Sequence, residues 1–262
     1  MELRELLQEY TGVGAGYIVA SAGSDQLIDL ILRLFVEPGD EVINCVPSFA
    51  MFPFFIELCR GTHVEVPRDE DFAVNVKAVK AAITKKTKMI LLATPNNPTA
   101  DVHCYLSQSI IHRHGSKWAG LAGLRIGYGM FPPQIADYLL RIKEPYCVNM
   151  AAQVAVRESL KDIDYLKGRV KAIIAERERL FGALQKLEWL KPFPSKANFI
   201  LCLVKKGKAS EVQKKLQNKG ILVRYFDKPL LRDCIRISVG KPEHTTALVK
   251  VLQELGKEMN GE

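Results

Sequence analysis

The sequence contains no long apolar run and no cysteine pattern typical of a metal site. None of its 262 residues lies in a stretch near the roughly 18 consecutive apolar residues that cross a bilayer. The N-terminal "MELRELLQEY" is charged and lacks the apolar core of a signal peptide. The six cysteines form no CxxC pair and match no zinc-finger spacing. These absences predict a cytoplasmic protein with mostly buried, reduced thiols, no bound metal and no membrane partner.

The positive charge is not concentrated in one segment. The formal net charge is +8, but the basic residues are scattered, with only short clusters at 85–88 and 205–208. A nucleic-acid groove would gather basic residues on one face, together with aromatic side chains or a known module. The sequence therefore argues against a nucleic-acid partner and agrees with a small anionic substrate.

Short β-branched runs alternate with helical patterns in the first 150 residues. The segment 24–35 places its apolar residues on one helical face, and Ser24 is its predicted N-cap. This alternation predicts an α/β fold with a largely parallel sheet. The candidate strands of the whole chain are "YIVA" (17–20), "EVINC" (41–45), "HVEV" (63–66), "KMILLAT" (88–94), "LRIGYG" (124–129), "NFILCLV" (198–204), "ILVRYF" (221–226) and "CIRISV" (234–239).

The pattern changes near residue 150. A long charged helical stretch, 162–187, precedes the order strand, helix, strand, strand, helix. We therefore predict two domains. The larger covers residues 1–155, and a smaller α+β domain covers residues 156–262 and includes the long connecting helix.

Three loops have the composition of ligand-binding segments. In "SAGSDQ" (21–26) a helix begins, and its free N–H groups could bind an anion, although ordinary capping explains the same residues. "ATPNNPTA" (93–100) follows an apolar strand, at the edge where α/β sheets bind ligands, but a bare turn is also consistent. In "HGSKWAGLAGLRIGYG" (114–129), Lys117 could form a Schiff base and Arg125 could grip a phosphate. Taken singly, the local sequence favours a surface lysine at position 117.

Together, "SDQ", "PNNPT" and "SKWAGLAGLRIGY" resemble the fold-type I pyridoxal-phosphate aminotransferases. Longer strings resemble the histidinol-phosphate branch, and residues 114–129 are most similar to its plant members. The resemblance implies a large domain with a mainly parallel sheet, a smaller C-terminal domain, pyridoxal 5'-phosphate as cofactor and a homodimer. It implies amino transfer from histidinol phosphate to a 2-oxo acid, 2-oxoglutarate, in histidine biosynthesis. A full-length plant form would reside in the plastid. The longer strings are 21–42, 47–52, 143–153, 195–200 and 220–226.

The resemblance also implies roles for individual residues. Lys117 would bind the aldehyde of the cofactor covalently and later move the proton. Phe49 would stack on the pyridine ring, and Asn97 would hydrogen-bond its hydroxyl oxygen. The cofactor phosphate would be held by Ser24, Asp25, Ser116 and Arg125. The substrate end that does not react would meet Asn198, Arg224 and Arg236.

The sequence departs from the family between Asn97 and Lys117 and at its start. Asn97 and Lys117 are only 20 residues apart, whereas the strand, helix and strand expected between them take roughly 30 residues or more. The "DEAY"-like motif, whose aspartate pairs with the pyridine nitrogen, is absent, and Asp101 lies too near Asn97 to be assigned that role. The family's N-terminal arm is also missing. We expect a shortened form of a longer enzyme with at best weak activity. Two alternatives stay open: another fold-type I aminotransferase, for aromatic or other amino acids, and a non-catalytic homologue that binds or dimerises.

Overall fold

The computed structural model describes residues 2–102, 111–113 and 119–260. The helices are α1 (Glu2–Thr11), α2 (Ser24–Phe35), α3 (Met51–Leu58), α4 (Val76–Ala82), α5 (Pro133–Ile142), α6 (Met150–Lys161), α7 (Ile163–Gln185), α8 (Ala209–Asn218) and α9 (Pro242–Asn260). The strands are β1 (Ile18–Ser21), β2 (Glu41–Val46), β3 (Thr62–Pro67), β4 (Thr87–Leu91), β5 (Ile111–Arg113), β6 (Gly127–Met130), β7 (Leu190–Pro192), β8 (Phe199–Val204), β9 (Arg224–Tyr225) and β10 (Cys234–Ser238). Ser116 and Lys117 lie outside the described residues.

Helix α2 has the bounds that the sequence predicts, because its apolar residues recur at helical spacing and are buried on one face. Its predicted cap is wrong. Ser24 is the first helical residue, and Gly23 occupies the capping position with no side-chain hydrogen bond. The reason is conformational: Gly23 has a φ of 83°, which glycine adopts readily and residues with a side chain rarely adopt.

Among the residues described, the strands of the first half of the chain form two separate three-stranded sheets. In one, β2 pairs in parallel with β3 on one side and with β4 on the other. In the other, β6 pairs antiparallel with both β1 and β5. The predicted parallel arrangement is therefore found around β2. No strand pairing in the described part of the chain joins β4 to β5.

Helix α2 packs against both of these sheets. Its Leu27, Leu30 and Ile31 lie in a buried cluster with Val19 of β1. Its Ile28 and Leu32 lie in a second cluster with Val42 of β2, Phe52 and Ile56. Met89 of β4 contacts both clusters. The helix therefore connects the two sheets through its side chains.

The C-terminal part has one antiparallel sheet in the order β7-β8-β10-β9. The sheet and helices α7, α8 and α9 enclose one cluster that includes Trp189, Ile235 and Leu252. The predicted order of strand, helix, strand, strand and helix is confirmed by β8, α8, β9, β10 and α9. The predicted domain boundary at residue 155 stays a prediction, and helix α6 runs across it.

The cysteines described are all free thiols, and Cys104 lies outside the described residues. Cys45, Cys202 and Cys234 are buried. Burial raises the pKa of Cys202 and raises that of Cys234 to about 11, so neither thiol ionises near neutral pH.

Over the described residues, no group of three or more histidine, cysteine, aspartate or glutamate side chains could hold a metal ion. Among the helices described, none is both long and apolar enough to span a bilayer.

Candidate active site

The start of helix α2 meets Arg125, which follows the short 3-10 turn Ala122–Leu124. Arg125 Nη2 donates a hydrogen bond to Asp25 Oδ2 at 3.1 Å. The guanidinium can approach the chain closely because Gly23 has no side chain: a Cβ there would lie 2.7 Å from Arg125 Nη2. The structure thus brings Asp25 and Arg125 together at the N-terminus of α2, across 100 residues of sequence.

Gly127, at the start of β6, lies directly against the residues that begin α2. A Cβ at this position would lie 2.8 Å from the carbonyl carbon of Gly23 and 2.9 Å from the backbone nitrogen of Ser24. The strand therefore runs directly against the first turn of α2. The N–H groups of a helix start carry partial positive charge, and the Arg125 guanidinium adds a full one. We call Gly23, Ser24, Arg125 and Gly127 the cradle, and its chemistry suits a phosphate group.

A second group of the candidate residues meets at the end of β4. Arg236, on β10, donates from Nη1 to Asn97 Oδ1 at 2.6 Å. Its guanidinium carbon lies 4.9 Å from the ring centroid of Phe199 and 5.6 Å from that of Phe226. The sequence separates Asn97 from Arg236 by 139 residues, and the fold joins them.

Arg224 adds a second positive charge beside Arg236. The two residues are directly opposite each other on β9 and β10. Burial first, and the charge of Arg224 second, lower the pKa of the Arg236 guanidinium. The Nε of Arg236 is buried and has no hydrogen-bond partner in the structure. Neither arginine forms an ion pair with any residue that the structure describes, so this pair is chemically suited to an anion.

Asn198 and Phe49 take no part in the hydrogen bonds described above for these two groups of residues. Asn198 is exposed, and its backbone oxygen accepts a hydrogen bond from the Val239 nitrogen at 2.9 Å. Phe49 is half-buried, with its ring edge-on to Phe52 at 5.6 Å between centroids. Both residues lie in loops, Phe49 after β2 and Asn198 before β8.

Asn96 is a site residue that the sequence did not single out. It is fully buried, and its Nδ2 donates to the Pro47 oxygen at 2.9 Å and to Thr99 Oγ1 at 2.7 Å. Its Oδ1 accepts from Ser48 Oγ at 3.0 Å. These bonds fasten the loop that carries Phe49 to the loop that carries Asn97. The pair of adjacent asparagines, Asn96 and Asn97, indicates a functional loop, but local sequence does not show which of the two side chains is buried.

The carboxylate of Asp101 is engaged in an internal ion pair. Arg68 Nη1 donates to Asp101 Oδ2 at 2.7 Å, and the Arg68 side chain is fully buried. The Thr99 hydroxyl donates to the other oxygen, Oδ1. Arg68 also donates from Nε to the Cys45 oxygen at 3.1 Å. Asp101 therefore stabilises the loop after β4, and its carboxylate is held by Arg68.

Comparisons with known proteins place the chain among aminotransferases. The family model for aminotransferase class I and II matches residues 1–103 and 107–252. A histidinol-phosphate aminotransferase of Dehalococcoides mccartyi is 52% identical over 289 aligned residues, which cover 98% of this chain and 81% of the relative. The chloroplastic histidinol-phosphate aminotransferase of Nicotiana tabacum is 38% identical, over 96% of this chain and 70% of the relative. Over the whole chain, the bacterial relative is the more similar of these two.

Solved structures confirm the fold. The histidinol-phosphate aminotransferase from Clostridium acetobutylicum superposes with a TM-score of 0.88 at 20% identity, over 98% of this chain and 88% of that one. The enzyme from Sinorhizobium meliloti, solved in complex with pyridoxal-5'-phosphate, gives a TM-score of 0.85 at 24% identity, over 98% and 81%. The predicted fold-type I aminotransferase fold is therefore confirmed.

The comparisons also show a difference in length. The alignment to the Dehalococcoides relative is longer than this chain, so the relative has residues that this chain lacks. The family match is interrupted at residues 104–106, between Asn97 and Lys117. The shortening expected between these two residues stays a prediction. Because the family model matches the chain on both sides of the interruption, the chain belongs to the class I and II aminotransferases. Its identity to the Dehalococcoides relative places it, within them, in the histidinol-phosphate aminotransferase family.

Proposed function

We propose that the chain binds pyridoxal 5'-phosphate and transfers the amino group of histidinol phosphate to 2-oxoglutarate. The names of its relatives support histidinol phosphate as the amino donor, and one solved relative of the same fold was crystallised with this cofactor. The observation that carries the proposal is the cradle, where two glycines allow Arg125 and strand β6 to lie directly against the start of α2.

The cradle fits the phosphate of the cofactor. The first N–H groups of a helix have no partner within it. At the start of α2, Arg125 lies beside them, paired with Asp25, and supplies a permanent charge. In the proposed complex, Ser24 and Ser116 donate from their hydroxyls, and Arg125 exchanges part of its contact with Asp25 for the phosphate. Phe49 packs on the ring, and Asn97 donates to the ring oxygen.

Lys117 supplies the amine that reacts with the cofactor and carries the proton. Gly115, Ser116, Ala119 and Gly120 flank it closely, so a ring can approach the backbone. When bound, the cofactor supplies an electron-withdrawing ring that stabilises negative charge on the substrate carbon. Lys117 would hold the cofactor until the amine of the substrate displaces it, and its freed amine would then move the proton of that carbon.

Arg224 and Arg236 receive the negatively charged end of each substrate. Histidinol phosphate presents a phosphate, and 2-oxoglutarate presents a distal carboxylate, so one cationic pair serves both. The buried Nε of Arg236 is a donor that such an anion would satisfy. Asn198 lies in the loop before β8 and would contact the same end of the substrate.

The decisive test is the absorption spectrum of the purified chain with cofactor, before and after addition of histidinol phosphate. We expect a bound-cofactor band that shifts when the substrate is added. Borohydride should fix the cofactor to Lys117, and Lys117→Ala should remove the fixed product. Lys219→Ala is the matched control, because Lys219 is a surface lysine paired with Glu254. Labelling of another lysine in the unmodified chain would refute the assignment of Lys117.

We further propose that residues 1–155 and 156–262 form two domains and that the protein is a homodimer. Sedimentation velocity measures the oligomeric state directly. A monomer across micromolar concentrations would refute it.

A further inference from the structure

Arg125 has a backbone conformation that residues other than glycine seldom adopt. Its φ is 53° and its ψ is 56°, which lie in the left-handed region. A residue with a side chain is crowded by the following carbonyl in this region, so the conformation costs free energy. It persists only where neighbouring groups hold it. The arginine of the cradle therefore depends on contacts made to its own backbone.

One of these contacts comes from the side chain of Asn149. Its Nδ2 donates a hydrogen bond to the Leu124 backbone oxygen at 3.0 Å. This oxygen belongs to the peptide group that joins Leu124 to Arg125, and the N–H of the same group donates to the Ala122 oxygen at 3.3 Å. A change of φ at Arg125 turns this peptide group relative to the side chain. The two hydrogen bonds therefore oppose a return to a more usual conformation.

Helix α6 holds Asn149 in place. Asn149 is the N-cap of this helix, and its Oδ1 accepts a hydrogen bond from the Ala152 nitrogen at 2.8 Å. Because the cap uses the oxygen of the amide, the nitrogen is left for the turn that precedes Arg125. Ala152 also lies in one buried cluster with Ile126, the residue after Arg125. The start of α6 is thus attached beside Arg125 by a hydrogen bond and by apolar packing.

The loop before α6 also reaches the other part of the cradle. Glu144 Oε2 accepts a hydrogen bond from Gln26 Nε2 at 2.5 Å. Gln26 Oε1 in turn accepts from the Ala22 nitrogen at 2.8 Å, in the turn before α2. Through Glu144 this loop is joined to the turn before α2, and through Asn149 to the turn before β6. Those two turns carry Gly23 and lead into Arg125, which meet in the cradle.

We propose that Asn149 is a positioning residue for Arg125, because its amide holds the backbone conformation that directs the guanidinium to the start of α2. The inference rests on the proposed function, in which Arg125 binds the phosphate of the cofactor. A guanidinium that is already in position loses less conformational freedom on binding than one that must be ordered. Removal of the Asn149 donor should therefore weaken the contact with the phosphate and spare the rest of the ligand.

The probes are pyridoxal 5'-phosphate and pyridoxal, which lacks the phosphate. Asn149→Ser keeps a side-chain oxygen that can cap α6 but removes the amide donor. It should weaken the binding of pyridoxal 5'-phosphate about three- to tenfold, as expected for one ordinary hydrogen bond. The dissociation constant of pyridoxal should stay unchanged. Absorbance titration measures both constants. Asn149→Asp also keeps a capping oxygen and lacks the donor, so it repeats the test if the serine variant fails to fold.

A matched control and a double variant show where the effect arises. Asn75 caps α4 in the same way, since its Oδ1 accepts from the Ala78 nitrogen at 3.0 Å, and α4 is not part of the cradle. Asn75→Ser should leave both dissociation constants unchanged. In the Arg125→Ala background, Asn149→Ser should cause no further loss of affinity, because the two residues then share one contact with the phosphate.

Equal weakening of the two compounds by Asn149→Ser would overturn the proposal, since it would show a general structural role. Additive losses in the double variant would also overturn it. Selective loss of pyridoxal 5'-phosphate affinity in Arg125→Ala, with no loss in Asn149→Ser, would reject the positioning role and leave the proposed function standing. An unmodified chain that does not bind pyridoxal 5'-phosphate would refute the proposed function, and this inference with it.

Discussion

The two ends of the molecule differ in how completely their sheets and cores are built. In the C-terminal part, one four-stranded sheet and three helices enclose a large buried cluster that extends from Leu180 to Leu255, and a second, smaller cluster includes Leu201 and Cys234. In the described part of the first half, two three-stranded sheets are separate, and the buried residues divide into several smaller clusters. The cradle lies in this half, and each of its residues belongs to or adjoins α2 or β6. The phosphate-type corner is therefore built by a helix and a strand and does not require one large core.

The largest expected effect comes from completing the first half. Inserting the residues of the Dehalococcoides relative at the interruption should raise the single-turnover rate with histidinol phosphate by orders of magnitude. The family places a carboxylate at the ring nitrogen, which favours its protonated form and stabilises the charge that develops during proton transfer. Rapid-mixing absorbance measures the rate. Equal rates for the two proteins would show that this chain already contains a substitute for that carboxylate.

The next effect concerns Asp101. Asp101→Asn should lower the free energy of unfolding by about 3 kcal/mol, because the buried guanidinium of Arg68 loses its charged partner. The spectrum of the bound cofactor should not change. Urea denaturation and absorbance measure the two quantities. Asp137→Asn is the control, since Asp137 and Arg141 form an exposed pair that contributes about 0–1 kcal/mol. An altered spectrum at unchanged stability would instead place Asp101 at the cofactor.

A pair of core substitutions compares the two regions directly. Leu252→Ala removes a fully buried side chain of the C-terminal cluster and should destabilise the protein by about 2–5 kcal/mol. Ile90→Ala on β4 should change the stability by less than about 1 kcal/mol, because the side chain is already partly in water. Thermal and urea unfolding test both. Similar losses for the two variants would mean that β4 is covered in solution.

The last comparison separates the roles of the arginines. Arg125→Ala should weaken cofactor binding about ten- to a hundredfold, which corresponds to a charge-assisted hydrogen bond of about 1.5–3 kcal/mol. Arg224→Ala, in the C-terminal part, should leave cofactor affinity unchanged and weaken the substrate instead. Fluorescence titration gives both dissociation constants. Unchanged cofactor affinity in the Arg125 variant would remove that residue from the phosphate site.

The sequence predicts elements well where a local pattern determines them. The bounds of α2 follow from its apolar periodicity, and the start of β2 follows from its β-branched run. Two short strands, β5 and β7, were not predicted, because three residues are too few to show an alternating pattern. β9 is shorter than the predicted strand 221–226, since only Arg224 and Tyr225 pair with β10.

The candidate site was predictable only through the resemblance to a family. Nothing in the local sequence indicates that Arg236 reaches Asn97, or that Arg68 holds Asp101, since those contacts depend on the whole fold. The same limit applies to Asn96 and Asn97, which are adjacent and chemically equal. The buried Asn96 side chain holds two loops together, whereas the Asn97 side chain accepts a hydrogen bond from Arg236. The difference comes from the direction of the backbone at each residue.

Gly127 sets a limit on how this sequence can vary in evolution. The atoms that its Cβ would meet are backbone atoms of Gly23 and Ser24, which cannot rotate aside as a side chain can. Any other residue would push the first turn of α2 away from β6. In a library of all single substitutions, position 127 should therefore accept glycine alone, whereas the exposed helix position Tyr165 should accept many residues. Substitutions at position 127 are therefore limited by steric contact with the backbone and not by a chemical role of the residue.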